Sequence, residues 1–509
     1  MESVQEQHTI TKEIHTAVRH SAVYGLGNIL TKVLGFLMLP FYTHYLNPAD
    51  YGVLEILDLS MSLLGMFLNM GMTAAVLRIY GGAKSDEERN KTVSTAFWFV
   101  TGTGIVALLS GLALVHPVSA MLFGPAVPSK YLLLAFSAFI LGYVGNLPRT
   151  YLRALEASGT VVLLDTLGIL LLLTLNVFFI AVLKVGLMGI LLSSLIVAGL
   201  SLVVLSAWAL YKVGLGFSSS LLKQMLAFGL PLVFSNMSLF ALNFSDRFFL
   251  QHLQSLDAVG VYAVGYKFGY MLNYMLVQPF LVMWQSRMFV IHARPDHGKI
   301  FGQFFMLYSV LLIYAGLGLA VLSPEIVRLM VVNPSFAASR EVIPVVSLAY
   351  IFYGLSFYAQ VGMFVTNRTK LIGIVGTICA VLNLALNYFL ILRFGMLGAA
   401  WATMLSFLAL AVGTYWLSNR VYPLPLAVGR VGITLMLAVM FYLFSRFSSG
   451  SLAVALLVKA LLLAAFPLLV WEARILSPEE ISTILAGRDS ALASVSRMFG
   501  GSSGKPASL

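Results

Sequence analysis

This 509-residue chain has a single cysteine, few charges and no long polar stretch. The lone thiol, Cys379, lies inside an apolar run, so no disulfide framework within the chain and no cysteine metal cluster can be built, and a core thiol is expected. Charged residues make up only 10% of the chain against 60% hydrophobic, with mean hydropathy +0.93. No soluble core of this size sustains that composition. There is no Walker-type phosphate loop, and so no sign of direct ATP use. His8, His15, His20, His44, His116, His292 and His297 stand in or beside polar segments without partners at metal-ligand spacing, and solvated rings are expected. No metal or resident cofactor is expected, apart from a coupling H+ or Na+. Membrane enzymes that join lipid-linked sugars usually expose a sizeable loop of acidic and basic groups. None is present, which counts against a glycosyl polymerase or ligase.

What the chain does have is about fourteen apolar segments, each about 20 residues long and able to cross a bilayer core as a helix. They are placed at 20–45, 50–78, 92–115, 131–151, 160–183, 187–210, 226–250, 257–284, 301–322, 341–366, 371–392, 396–417, 428–447 and 451–472. The predicted fold class is an all-α polytopic membrane protein. Residues 1–19 are polar, lack a cleavable leader pattern and read as a cytoplasmic segment. A six-helix lobe is expected over 20–210, a cytoplasmic linker over 211–225, a second lobe over 226–420 and a terminal pair over 428–472. In the tail, 473–509, Ser477-Pro478-Glu479-Glu480 has the form of a helix capping box ahead of an amphipathic stretch.

The net charge of +11 does not imply nucleic acid, because no basic cluster is interleaved with stacking aromatics. With Met1 inside, the outer loops hold only Lys130, Lys184, Arg328, Arg340, Arg393 and Arg446 of the 31 basic residues. That asymmetry places both termini in the cytoplasm.

An internal repeat supports the two-lobe division. Lys184-Val-Gly-Leu-Met-Gly189 follows the fifth segment, and Arg393-Phe-Gly-Met-Leu-Gly398 follows the eleventh. Ala49-Asp50-Tyr51-Gly52 and Asp257-Ala258-Val259-Gly260 stand at nearly the same offset (260 − 52 = 208). Parallel repeats of this kind place a substrate cavity at their interface.

Polar residues inside a membrane are costly and mark function. Lys32 and Lys267 lie near the middle of the first and eighth segments, facing either a wet cavity or, by snorkelling, the interface. Tyr24, Asn28 and Lys32 form one helical stripe, and Tyr262, Tyr266, Tyr270 and Tyr274 form another beside Lys267. Tyrosine faces suit sugar rings, and they equally suit ordinary helix packing. Glu55 and Asp58 share a face of the second segment, and Asp165 lies in the fifth. Each is a candidate for the coupling ion, and Glu55 and Asp58 are equally candidates to pair with Lys32 or Lys267. Asp246 and Arg247 read as a rim pair at the outer end of the seventh segment, with Asp246 a further ion candidate and Arg247 a further substrate contact. Lys459, outside both repeats, reads as snorkelling or lipid-facing. Pro40 and Pro231, each in the opening helix of a lobe, are hinge candidates, and Pro279 and Pro467 are further internal prolines.

Asn28-Ile-Leu-Thr-Lys-Val-Leu-Gly35, Leu39-Pro40, Tyr45-Leu46 and Asp50-Tyr-Gly-Val53 together resemble the N-terminal signature of Wzx-type polysaccharide flippases. That family belongs to the superfamily of multidrug/oligosaccharidyl-lipid/polysaccharide exporters, with the multidrug/toxin-extrusion (MATE) antiporters and lipid II flippases. The resemblance covers roughly residues 15–420. It implies a MATE-like V-shaped pair of six-helix lobes around a cationic cavity. It also implies transfer of undecaprenyl-pyrophosphate-linked oligosaccharide to the outer leaflet of the bacterial inner membrane, for O-antigen or other surface polysaccharide. In that frame Lys32 and Lys267 hold the pyrophosphate. The implied partners are the lipid-linked oligosaccharide, membrane lipids, a polysaccharide polymerase and a chain-length regulator. Thr31-Lys-Val-Leu-Gly-Phe36 also resembles the basic first-helix motif of lipid II flippases. Those carry a further basic residue about two turns on, where this chain has Leu37-Met38. A lipid II flippase and a cation-coupled drug exporter stay open as alternatives.

Overall fold

The structure is a computed structural model that describes residues 33–447 and 452–482, the side chains of residues 234 and 235 excepted. Tyr24, Asn28, Lys32 and the tail beyond Ser482 lie outside the described residues. A bilayer offers the backbone no water, so every N–H and C=O must pair within the chain, and helices answer that demand. The described residues contain helices and no strand. In chain order α1 (Leu39–Tyr45), α2 (Pro48–Asn69), α3 (Met72–Gly82), α4 (Asp86–Phe123), α5 (Ser129–Ala154), α6 (Ser158–Val177) and α7 (Leu187–Val213) make the first half. The second half comprises α8 (Ser219–Leu253), α9 (Leu256–Leu272), α10 (Gln278–His292), α11 (His297–Val321), α12 (Ser323–Met330), α13 (Ser339–Ala359), α14 (Val361–Val365) and α15 (Lys370–Val421). Two further helices, α16 (Val428–Ser445) and α17 (Leu452–Glu472), close the described chain.

Ten helices among the described residues are long and apolar enough to cross a membrane, or eleven with the bent pair Ser219–Val233 and Asn236–Leu253. The expected first segment falls largely on undescribed residues. The eighth is one continuous helical path, α9 passing into α10 through a wide π-type turn over Asn273–Val277. The eleventh and twelfth run together as α15, with a kink at Gly395.

That kink displays the repeat. Gly395 has φ 56° and ψ −134°, and Gly186, its counterpart in the first half, has φ 59° and ψ −138°. Only glycine adopts this backbone readily, so the paired Gly residues of the two motifs impose one turn on both halves.

The halves meet through glycines as well. A Cβ on Gly52 would overlap the carbonyl oxygen of Leu256, and a Cβ on Gly260 would overlap that of Pro48. The contact is reciprocal, as a pseudo-twofold relation between α2 and α9 requires. At the far end of α2, Gly71 (φ 70°) abuts Gly229 of α8 just as closely. Gly52 and Gly71 stand about 28 Å apart along the helix at 1.5 Å per residue. The two seals thus bracket a bilayer's depth.

The prolines act differently from one another. α8 bends by 40° between Val233 and Asn236, just past Pro231. Pro231 lacks an N–H and crowds the preceding turn, which accounts for the bend. Pro40 follows a break at Met38 between the helical residues 33–37 and α1, and Pro279 follows the π-type turn over Asn273–Val277 in the continuous helical path from α9 into α10, so each stands beside an interruption of the regular helix. Pro467 lies inside α17.

The tail begins with the expected capping box. The Glu480 N–H donates to Ser477 Oγ at 3.3 Å, and the Ser477 N–H donates to Glu480 Oε2 at 2.6 Å. Arg430 clamps Glu480 with two bonds, 2.9 and 3.1 Å long, and Lys299 and Gln303 hold Glu479.

Candidate functional site

Between the two seals, α2 of the first half faces α8 and α9 of the second. Lys267 Nζ donates to Tyr51 Oη at 2.8 Å and stands 3.4 Å from Glu55 Oε2. Glu55 Oε1 lies 3.8 Å from Arg247 Nε. One carboxylate of the first half is therefore shared by two cations of the second. Asp58, one turn beyond Glu55 on α2, is exposed on that helix. Tyr42 on α1 accepts a 2.7 Å bond from the amide of Asn176. Phe36 packs edge-on against Phe268, so the described end of the first segment runs beside α9.

Arg247 and Asp246 are each only 1% exposed, which overturns their reading as a rim pair. Two facts explain the depth. α8 continues to Leu253 rather than ending near 250, and α9 folds back over it. Arg247 Nη1 bonds Asp246 Oδ1 at 2.6 Å and the Asn243 carbonyl at 2.8 Å, and its guanidinium carbon lies 3.7 Å from the Tyr266 ring centre. The hydroxyl of Tyr262 donates to Asp246, and that of Thr403 does so at 3.3 Å. Asn383 Nδ2 donates to Ser406 Oγ, and Asn383 Oδ1 accepts from both Ser245 and Asn387. Buried charges persist only when paired and bonded, and this network supplies most of those bonds, leaving Arg247 Nε without one among the described residues.

The tyrosine stripe divides along its length. Tyr262 and Tyr266 are sealed inside, where Tyr266 bonds the Asn243 carbonyl at 3.1 Å and the Tyr350 hydroxyl at 2.6 Å. In this conformation Tyr266 braces Arg247 and faces no open space, a correction to its reading as a sugar contact. Tyr270 and Tyr274 are only half-buried, with ring centres 4.6 Å apart, and they run into the π-type turn.

Asp165 is not part of this cluster. It pairs with Arg149 at 3.2 Å and lines a cleft of about 530 Å³ in the first half, together with Asn69, Tyr143 and Asn146. Asn69 is about 21 Å along α2 from Glu55 at the helical rise. Lys459 is neither snorkelling nor facing lipid, since it is 5% exposed and bonds Glu325 at 2.7 and 2.8 Å. The short helix α12 folds back and carries Glu325 to it, a contact that an apparent outer loop conceals in the sequence. Cys379 is buried, as a core thiol would be, and His44 and His116 are exposed, whereas His292 stands 2.9 Å from the Tyr422 hydroxyl.

Sequence reasoning missed Tyr51, Arg149, Asn243, Asn383, Asn387 and Thr403. A usable signal was there: Asn243 and Arg247, like Asn383 and Asn387, stand four residues apart inside apolar segments and so share a helix face.

A sequence model of the family described as "Polysaccharide biosynthesis protein" matches residues 17–283. No curated protein matches the chain by sequence. Among solved structures, the lipid II flippase MurJ in an inward closed conformation aligns with a TM-score of 0.71 at 14% identity, covering 89% of this chain and 100% of that one. An inward-facing multidrug resistance MATE transporter of the MOP superfamily aligns at 0.60 and 15% identity, covering 76% and 94%. A mutant of the Vibrio cholerae MATE transporter VcmN aligns at 0.55 and 15% identity, covering 80% and 96%. The fold is the one these transporters share.

Proposed function

The chain belongs to the polysaccharide biosynthesis protein family, and on that premise we propose that it is a flippase for an isoprenoid-diphosphate-linked oligosaccharide. It moves the repeat unit from the inner to the outer leaflet of the bacterial inner membrane for surface polysaccharide, O-antigen included, by alternating access. The observation that carries this reading is the cluster of Lys267, Arg247 and Glu55, which joins the two halves between two glycine seals. A pair of cations at that depth suits a diphosphate. The half-buried Tyr270 and Tyr274 beside it suit the sugars. Lys32 belongs to the same site in this reading, and the isoprenoid chain stays in the bilayer.

The coupling cation, H+ or Na+, is taken at Asp58 or Asp246. Asp246 has the hydroxyl oxygens of Tyr262 and Thr403 beside it, hard donors of the kind that suit such a cation. Bending of α8 past Pro231 supplies the rocking motion. Both termini stay in the cytoplasm, following the basic residues of the loops. A polymerase and a chain-length regulator would receive the product.

Deleting the gene and assigning lipid-linked oligosaccharide to each leaflet tests the reading. A complete repeat unit accumulating on the cytoplasmic leaflet, with surface polymer lost, is the expected result. Normal polymer with raised sensitivity to cationic dyes would replace this reading with a drug exporter. Accumulation of lipid II with cell lysis would replace it with the activity named for MurJ, whose full length the chain matches in fold.

A further inference from the structure

The resting site is not cationic among the described residues, because Glu55 and Asp246 match Lys267 and Arg247 charge for charge, with Asp58 a further carboxylate one turn along α2. A phosphate headgroup entering it therefore meets carboxylates already in place. Arg247 shows which of them yields. Its Nη1 is committed to Asp246 and to the Asn243 carbonyl. Its Nε is buried, has no hydrogen-bond partner among the described residues, and has Glu55 at 3.8 Å, too far for a hydrogen bond. Lys267 likewise holds Glu55 at 3.4 Å, outside ideal bonding distance, while its bond to Tyr51 is 2.8 Å. Glu55 thus serves both cations and bonds neither closely. It occupies the gap that a bridging oxyanion would fill.

We infer that Glu55 is the resting occupant of an anion seat formed by Lys267 and Arg247, and that it makes the site selective for headgroups with at least two negative charges. The inference rests on the flippase reading and concerns how that site chooses its ligand. A monoanion would replace Glu55 like for like and leave a nearly buried carboxylate without its cations, an unfavourable exchange in a low-dielectric interior. A diphosphate diester brings two negative charges and several acceptor oxygens, enough to reach Lys267 Nζ and Arg247 Nε together. Because Glu55 sits on α2 and both cations sit on α8 and α9, the exchange also severs an ionic link between the halves. Only a ligand that fills the seat frees them to move.

The test uses purified full-length protein titrated by calorimetry with inorganic pyrophosphate and, separately, with inorganic phosphate, in a mildly acidic buffer where phosphate is chiefly the monoanion and pyrophosphate keeps at least two negative charges. Wild type should bind pyrophosphate about tenfold or more tighter than phosphate, a difference of about 1.4 kcal/mol. Glu55→Gln should bind both anions more tightly, phosphate gaining most, so that the ratio falls to about threefold or less. Glu55→Asp, which keeps the charge on a shorter arm, should fall between them and serves if Glu55→Gln does not fold. An unchanged ratio in folded Glu55 variants overturns the role of Glu55 and leaves the headgroup reading standing. Failure of both anions to bind any of the proteins removes the headgroup reading, and this inference with it.

Discussion

In the first half, α4 and α6 bury only 11% of their most apolar stretch inside the protein, whereas α11 and α13 of the second half bury 56% and 72%. The first half also carries an apolar groove of about 880 Å³ running along α4, lined by residues such as Leu64, Val106, Leu114 and Phe136. The second half encloses the polar network around Asp246 and Arg247. Halves built on one repeat thus have unlike interiors. The second is a packed scaffold that fixes two cations. The first is a looser set of helices, open to lipid, that brings Glu55 and Asp58 to them. Two fixed cations on one half and their counter-charge on the other suit the alternating access proposed above.

The largest expected effects come at the joint between the halves. Gly260→Leu or Gly52→Leu drives a side chain into the opposing backbone, where overpacking costs about 1–3 kcal/mol or more and the backbone cannot give way. Surface polysaccharide should be lost while the protein is still made, measured by immunoblot of polymer and protein from the same cells. Lys267→Glu should abolish polymer as completely, without changing the melting temperature by more than a few degrees. Retained polymer would remove Lys267 from the site.

Next come the ion pairs, where the contrast between halves becomes quantitative. Arg247→Ala leaves Asp246 buried without its partner and should cost about 3–5 kcal/mol. Arg149→Ala, at a part-exposed pair in the first half, should cost about 1 kcal/mol or less. Melting curves of the two purified variants give the comparison directly, and equal shifts would erase the distinction between the interiors. Lys459→Met should destabilise through the uncompensated Glu325, and Glu325→Gln added to it should recover much of the loss. The smallest effect is at the tail. Ser477→Ala removes one capping bond worth about 1 kcal/mol, so limited proteolysis should cut faster near residue 477 with transport unchanged.

Much of this was legible in the chain. Apolar segments of about 20 residues dictate membrane helices because no other backbone arrangement short of a closed barrel satisfies its hydrogen bonds in lipid. The repeated Gly turns specify two like halves, since the combination of positive φ with strongly negative ψ at Gly186 and Gly395 is one that glycine adopts without a Cβ clash. Lys267 and Glu55 announce themselves because a charge in an apolar run costs too much to be idle.

The sequence alone did not decide who faces whom. Lys267 had both Glu55 and Asp58 as candidate partners, and only the crossing of α2 and α9 at Gly52 and Gly260 sets Glu55 beside it. Asp246 and Arg247 looked peripheral by segment position and proved central once α9 covered them. Lys459 found Glu325 through a short helix folding back. Helix formation is local and is written in composition and period. Pairing of buried charges is set by contacts between segments far apart in the chain, and those exist only once the bundle has packed.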